Sequence, residues 1–161
     1  MSLDIHLTLA LIFVATAANG ILAGASLDQS IKQLPARRKI GALNYSIYSR
    51  AADLGNGILW YAILGIGAAI LTIAAGVATY FDSPSTSQAL PIYISVGLTI
   101  LHSLATTQAA PTNFSQRKVV DDERALGRVF DKFAKWQAIR CALQVITFGV
   151  MLWALVANAR S

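Results

Sequence analysis

The chain has 161 residues, of which 55% are hydrophobic and only 13% charged, and its formal net charge is +5. Soluble domains carry about 25% charged residues and disordered chains are polar, so this composition excludes disorder and favours a membrane protein. One cysteine and two histidines exclude a disulfide framework, a CxxC motif, a cysteine-cluster metal site and an all-histidine catalytic zinc site.

Four long apolar stretches follow one another along the chain. Each is long enough for a helix to cross a bilayer core, which takes about 20 residues, and none alternates as a strand would. In lipid the backbone must satisfy its own hydrogen bonds, so helices are expected. The sequence therefore predicts an all-α, four-transmembrane-helix bundle, with residues 1–161 as one domain. The stretches cover residues 5–27, 54–80, 89–110 and 134–157.

The charges of the connections predict the orientation. Loops 28–53 and 111–133 each hold five Lys or Arg, whereas loop 81–88 holds none. The positive-inside rule places both basic loops in the cytoplasm and both termini outside, in a bacterial inner (plasma) membrane. Residues 1–6 contain no basic residue, which favours a retained first helix over a signal peptide. The predicted partner of the basic loops is the lipid bilayer, and nucleic acid is not expected.

Both basic loops are expected to be partly helical. Apolar positions at three- and four-residue spacing in 121–136 predict an amphipathic helix that continues into the fourth span. The first loop has break signals at Pro35 and Gly41, after which residues 43–54 again form a helical pattern. Residues 82–85, Asp-Ser-Pro-Ser, are a turn signal that joins the second and third spans in a hairpin.

Small residues recur at four-residue spacing on the first two spans. Gly20 and Gly24 form one pair, with Thr16 a turn earlier, and Gly65 and Ala69 form another. Such pairs let helix backbones approach closely in lipid. We expect them to pack within the bundle, and the alternative is a homo-oligomer or a contact with a partner in a membrane complex.

Polar and aromatic residues converge at one depth in the cytoplasmic half. At about 1.5 Å per residue, His102, Arg140 and Trp60 lie roughly 9–12 Å from the inner ends of their helices. We predict a polar pocket in which His102 acts as general base or acid and Arg140 stabilises an anion or enolate. No metal or cofactor is expected, because no acidic residue lies inside a span and His6 lies at the opposite edge from His102. The predicted substrate-binding residues are Asn19, Asn56, Trp60, Asn113, Gln137 and Gln144.

The same residues also permit a purely structural interpretation. Asn19 and Gln144 would join helices by hydrogen bonds, and His102 would be a satisfied interior histidine. An arginine at depth is costly, so Arg140 is expected to pair with an acidic or amide group. Asp53 is the first candidate partner, and Asn19 and Asn113 are the alternatives.

Two motifs carry a family resemblance. They are Ala-Pro-Thr-Asn at 110–113 and Phe-Ala-Lys-Trp-Gln-Ala-Ile-Arg at 133–140. With the glycine-rich first helix, they resemble the anthrone oxygenase-like family of small four-helix membrane proteins, largely a domain of unknown function. The resemblance implies a P-x-N turn at Pro111 and Asn113, and an aromatic–arginine signature at Phe133 and Arg140. Gln137 stands where that family usually has histidine.

The resemblance implies a cofactor-independent oxygenase that acts on a hydrophobic aromatic or polyketide-type molecule such as an anthrone. A base would form a substrate carbanion that reacts with oxygen, and His102 is the base available inside the spans. The alternative is a non-catalytic membrane accessory subunit or a scaffold that binds lipid or another hydrophobic ligand. Transport is a third possibility and would need an oligomer. An open cavity favours the enzyme, and mutually paired polar groups favour the scaffold.

Overall fold

The computed structural model describes the backbone of residues 2–159 and the side chains of residues 7–159. Within that part of the chain every regular element is helical. The expectations for the side chains of residues 1–6, including His6, and for Arg160 lie outside it. The α-helices are α1 (Ser2–Asp28), α2 (Leu34–Ile40), α3 (Ala42–Ala51), α4 (Gly57–Asp82), α5 (Thr86–Phe114) and α6 (Glu123–Ala159).

Four continuous helical runs are long and apolar enough to cross a membrane. This confirms the predicted all-α fold with four spans and gives the chain the architecture of an integral membrane protein. The runs extend well beyond the apolar stretches because polar helical segments continue them. They cover Leu7–Ile40, Ala42–Asp82, Thr86–Lys118 and Glu123–Ala159.

The four long helices form an up-and-down bundle. Helix α1 packs against α4 and α6, and α5 packs against the same two helices from the opposite side. Each helix therefore contacts its sequence neighbours, and α1 and α6 close the ring. One end of the bundle carries the 83–85 turn and is called the turn end. The other end carries α2, α3 and the start of α6 and is called the basic end.

The turn end has an apolar core and a well-capped connection. Ser83 ends α4 in a left-handed conformation with φ of 48°. Ser85 then caps α5, because its backbone N–H donates to Gln88 Oε1 at 3.1 Å while the Gln88 N–H donates back to Ser85. This confirms the predicted hairpin. The core residues at this end are Ile12, Ala15, Ala75, Ile92, Met151 and Ala154.

At the basic end the chain remains helical past the expected break at Pro35. A π turn, Gln29–Gln33, joins α1 to α2, and Pro35 lies in the first turn of α2. Pro35 is accommodated there because the π turn, in which the Leu34 N–H donates to the Gln29 carbonyl, changes the hydrogen-bond register just before the proline, which has no N–H of its own. The break occurs at Gly41, whose φ is 83°, a value that suits glycine. Helix α3 and a second π turn, Ala52–Asn56, then lead into α4 through a kink at Gly55.

Two sequence predictions concern the end of α5 and the start of α6. Helix α5 runs through Pro111 and Asn113 to Phe114, so the expected turn at Pro111 does not form. Proline removes one intrahelical hydrogen bond, and in the same turn the Thr112 hydroxyl donates to the Gln108 carbonyl at 2.8 Å. The amphipathic start of α6 is confirmed. Its apolar face packs with α2, α3 and α5 in a cluster of Leu34, Tyr45, Ala109, Leu126, Phe130 and Phe133.

The predicted small-residue pairs divide into packed and open positions. A Cβ added at Gly20 would lie 2.8 Å from the Phe148 ring, so Gly20 permits close packing of α1 on α6, as expected. At Gly24 and Gly65 an added Cβ would meet nothing within 4 Å, and the expected packing within the bundle is therefore wrong for both. Gly76 permits a close approach of α4 to α5, with an added Cβ 2.8 Å from Val96.

Candidate functional site

A buried hydrogen-bonded group joins three helices near the middle of the bundle. Asn19 Nδ2 on α1 donates to Thr72 Oγ1 on α4 at 2.9 Å. Gln144 Nε2 on α6 donates to Asn19 Oδ1 at 2.8 Å. All three side chains are buried. The hydrogen bonds between helices that the structural interpretation expects of Asn19 and Gln144 are thus present.

The position of Thr72 corrects the depth estimate. Counting from the predicted span ends places Thr72 in the outer half and Asn19 in the inner half, yet their side chains are bonded. The two spans do not start from one common plane, because α4 begins after α3 and a kinked π turn. The polar layer is therefore nearer the middle of the bundle than the sequence count suggests.

Arg140 pairs with an amide of its own helix. Its Nη1 donates to Gln137 Oε1 at 2.9 Å. Gln137 is buried, and its Nε2 lies 3.4 Å from both the Ser26 carbonyl and Ser30 Oγ. The expectation of an acidic or amide partner for Arg140 is thus confirmed, but Asp53 as that partner is wrong. Asp53 instead accepts a hydrogen bond from Ser49 Oγ at 2.9 Å, because its π turn directs it toward α3.

His102 and Arg140 each carry a buried nitrogen atom without a hydrogen-bond partner. His102 is only 6% exposed on the inner face of α5, and its Nε2 has no hydrogen-bond partner. Arg140 Nε is also buried without a partner. Across the side chains of residues 7–159, these are the two buried side-chain nitrogens that lack a partner. Arg140 is also near enough for its charge to act on the imidazole.

Two residues that the sequence reasoning did not include as site residues belong to this neighbourhood. Thr99 lies one turn before His102 on the same buried face, and its Oγ1 has no hydrogen-bond partner. Tyr61 of α4 is partly buried and lies near Arg140. The three-residue spacing from His102 could have pointed to Thr99. Nothing in the sequence shows which of the two adjacent aromatic residues, Trp60 and Tyr61, faces inward.

Three of the predicted substrate-binding residues do not lie near His102 and Arg140. Trp60 is 54% exposed on the outer surface of the bundle, and Asn56 is exposed where the second π turn meets α4. Asn113 is buried, but its Oδ1 accepts from Gln116 Nε2 at 2.9 Å in a separate group at the basic end. Successive helical residues point about 100° apart, and the kink at Gly55 decides which of Trp60 and Tyr61 faces inward.

That separate group is a second polar cluster, centred on Gln116. Its Oε1 accepts from Ser46 Oγ at 3.1 Å, and its Nε2 lies 3.3 Å from Ser49 Oγ. Ser49 in turn donates to Asp53. These contacts hold α3 and the second π turn against the end of α5. The sequence offered only the three-residue spacing of Ser46 and Ser49 as a signal.

Two grooves are present at the basic end, with volumes of about 230 and 160 Å³. They flank α2, and other residues than His102 and Arg140 line them. In the described part of the chain, no three His, Cys, Asp or Glu side chains are grouped to hold a metal ion. Comparison with family models, curated proteins and solved structures returned no match.

Proposed function

We propose that this integral membrane protein binds a hydrophobic small molecule through one oxygen atom, which accepts hydrogen bonds from His102 and Arg140. The observation that carries the proposal is the pair of buried, unpartnered nitrogens, His102 Nε2 and Arg140 Nε. They belong to adjacent helices, α5 and α6, and lie within electrostatic reach of one another. A carbonyl or oxyanion oxygen is the acceptor that satisfies both.

The energetics favour such a ligand. A buried polar group without a partner costs about 1–3 kcal/mol, and more when it is charged. The guanidinium is a donor only, so its Nε requires an acceptor, and neutral imidazole can present an N–H at Nε2. Thr99 Oγ1 adds a third unpartnered polar atom, one turn away. The ligand is hydrophobic because the site lies among four helices that are apolar enough to cross a membrane.

Deprotonation and oxygenation of an anthrone is the second candidate. It is favoured by the free Nε2 of His102, a base, beside Arg140, a cation that would stabilise the enolate oxygen. The family histidine position is occupied by Gln137, whose side chain is bonded to Arg140 and faces Ser26 and Ser30. His102 therefore carries the base role in this candidate.

We also propose that the basic end lies in the cytoplasm, in a bacterial inner membrane, with both termini outside. The ten basic residues of the two loops at this end support it, against none in the 81–88 loop. Reporter fusions at Ser85 and Arg117 test it. Cytoplasmic activity is expected at Arg117 alone, and cytoplasmic activity at Ser85 would reverse the orientation.

The ligand is tested with the protein in lipid nanodiscs, by titration with an anthrone and with the corresponding anthraquinone. Loss of a hydrogen bond to a charged group costs about 1.5–3 kcal/mol, so Arg140→Gln should weaken binding about 10- to 100-fold. His102→Ala should also weaken it. Trp60→Phe, on the outer surface, is the control and should bind normally. Equal affinity in all four proteins would refute the site.

The same preparations distinguish catalysis from binding. Oxygen consumption with the anthrone, abolished by His102→Ala, would establish the oxygenase. Tight binding without oxygen consumption would leave a ligand-binding scaffold. A variant that changes only the thermal unfolding temperature, with no bound ligand in any protein, would support the purely structural interpretation.

A further inference from the structure

A second site is suggested by the larger groove at the basic end. The groove lies between α3 and the helical segment formed by the first π turn and α2, and its volume is about 230 Å³. Pockets for drug-sized ligands measure about 300–1,000 Å³, so this groove suits part of a molecule. Its lining residues are Lys32, Gln33, Ala36, Ile40, Tyr45 and Tyr48.

Two of the lining side chains carry buried oxygen atoms without hydrogen-bond partners, Gln33 Oε1 and Tyr45 Oη. Gln33 Nε2 donates to Asp28 Oδ2 at 2.6 Å, which leaves Oε1 as an unused acceptor. The Tyr45 ring is held edge-on against Phe130 with ring centres 4.9 Å apart. One free acceptor and one free donor match a hydroxyl group, which both donates and accepts.

The surroundings of the groove resemble a membrane headgroup region. Exposed apolar side chains, Ile31 and Ile47, stand beside the charged residues of the 28–53 segment. That segment carries five basic and two acidic residues, and Lys32 is ion-paired with Asp28 at the groove. Basic residues at this level attract anionic lipid. The occupant is therefore a hydroxyl-bearing group attached to an anionic phosphate.

We infer that the groove binds the glycerol headgroup of phosphatidylglycerol from the surrounding leaflet. One headgroup hydroxyl donates to Gln33 Oε1 and accepts from Tyr45 Oη, and the phosphate lies toward the basic residues of α2. The acyl chains remain in the bilayer beside Ile31 and Ile47. This site uses neither His102 nor Arg140, so its experimental test is independent of the test of the proposed function.

Native mass spectrometry of the full chain with defined lipids tests the inference. We expect phosphatidylglycerol to bind more tightly than phosphatidic acid, which is anionic but lacks the headgroup hydroxyls, and than phosphatidylcholine. Equal binding of phosphatidylglycerol and phosphatidic acid would show that charge alone is recognised and would overturn the inference. Displacement of the lipid by an equal concentration of free glycerol phosphate would also overturn it.

Single substitutions identify the atoms involved. A hydrogen bond contributes about 0.5–1.5 kcal/mol, so Tyr45→Phe should weaken phosphatidylglycerol binding about threefold to tenfold. The lipid-free Tyr45→Phe protein should unfold at a temperature no lower than the wild type, because only an unpartnered hydroxyl is lost. Gln33→Leu should weaken the binding of phosphatidylglycerol and leave the binding of phosphatidic acid unchanged. Tyr80→Phe, at the exposed turn end, is the matched control, and equal losses in Tyr80→Phe and Tyr45→Phe would refute the assignment.

Discussion

The two halves of the bundle bond most of their buried polar side chains in different ways. Two contacts toward the turn end do join helices, from Thr16 Oγ1 to the Met151 carbonyl at 3.3 Å and from Asn158 Nδ2 to the Gln88 carbonyl at 3.2 Å. Toward the turn end, Thr79 Oγ1 donates to the Ala75 carbonyl at 2.7 Å and Ser95 Oγ to the Pro91 carbonyl at 2.9 Å, each within its own helix. Deeper toward the basic end, Asn19 bonds side chains of two other helices. A hydroxyl bonded to its own helix does not specify a neighbour, whereas an amide bonded across helices fixes which helices meet and at what register.

The difference also locates the candidate functional site. Hydroxyl groups of Ser and Thr can reach a backbone carbonyl one turn earlier, as Thr79 and Ser95 do, although Thr8 and Thr99 are buried without a partner. Imidazole and guanidinium groups carry several nitrogens, and a neighbour in the same helical turn satisfies only part of them, as Gln137 does for Arg140 Nη1. His102 Nε2 and Arg140 Nε have no such partner. The two buried nitrogens without a partner therefore lie away from the turn end, where the unpartnered buried atom in the described side chains is a hydroxyl oxygen, Thr8 Oγ1.

The largest expected effect is at the basic end. Phe130 is fully buried against Tyr45 and Leu126, so Phe130→Ala should lower the free energy of unfolding by about 3–5 kcal/mol. Phe13→Ala is the matched control because that ring is exposed on the outer surface. Unfolding in mixed micelles measures both. Equal stability of the two variants would show that α2 and α3 pack loosely on α6.

A smaller effect is expected where α1 and α6 approach closely. Gly20→Ala places a Cβ 2.8 Å from the Phe148 ring, and overpacking of this kind costs about 1–3 kcal/mol. Gly24→Ala, one turn away, meets nothing within 4 Å and should leave stability unchanged. The same unfolding experiment compares them. A loss at Gly24 but not at Gly20 would show that the surface around Gly24 packs against another molecule, as in a dimer.

The smallest expected effect on stability tests the difference between the two halves of the bundle directly. Asn19→Leu removes hydrogen bonds across helices and should cost about 0.6–1.7 kcal/mol, the range measured for such bonds in membrane proteins. Thr79→Val removes a bond within one helix and should cost less, since the freed carbonyl keeps its backbone partner. Unfolding in lipid nanodiscs compares the two. A larger loss for Thr79→Val would contradict the proposed distinction between the halves.

Several features of the fold could be predicted because they depend on composition along the chain. The four spans follow from apolar length, and the amphipathic start of α6 from the spacing of Leu126, Phe130 and Phe133. A break was predicted at Pro35 and a turn at Pro111, but both prolines lie within helices. Proline is excluded from a helix interior only if its lost hydrogen bond and its ring are not accommodated, and both helices accommodate them.

The amino-acid pattern is sufficient to predict apolar helices with basic connections, and to place Asn19, His102 and Arg140 within those helices. These properties follow from the lipid solvent, which requires helices and penalises every polar group. Helix packing is needed to explain why Gln144 bonds Asn19, why Gln137 pairs with Arg140, and why Tyr61 rather than Trp60 lies near Arg140. Those choices depend on helix rotation and relative height, which the kink at Gly55 and the π turns set and which no local pattern encodes.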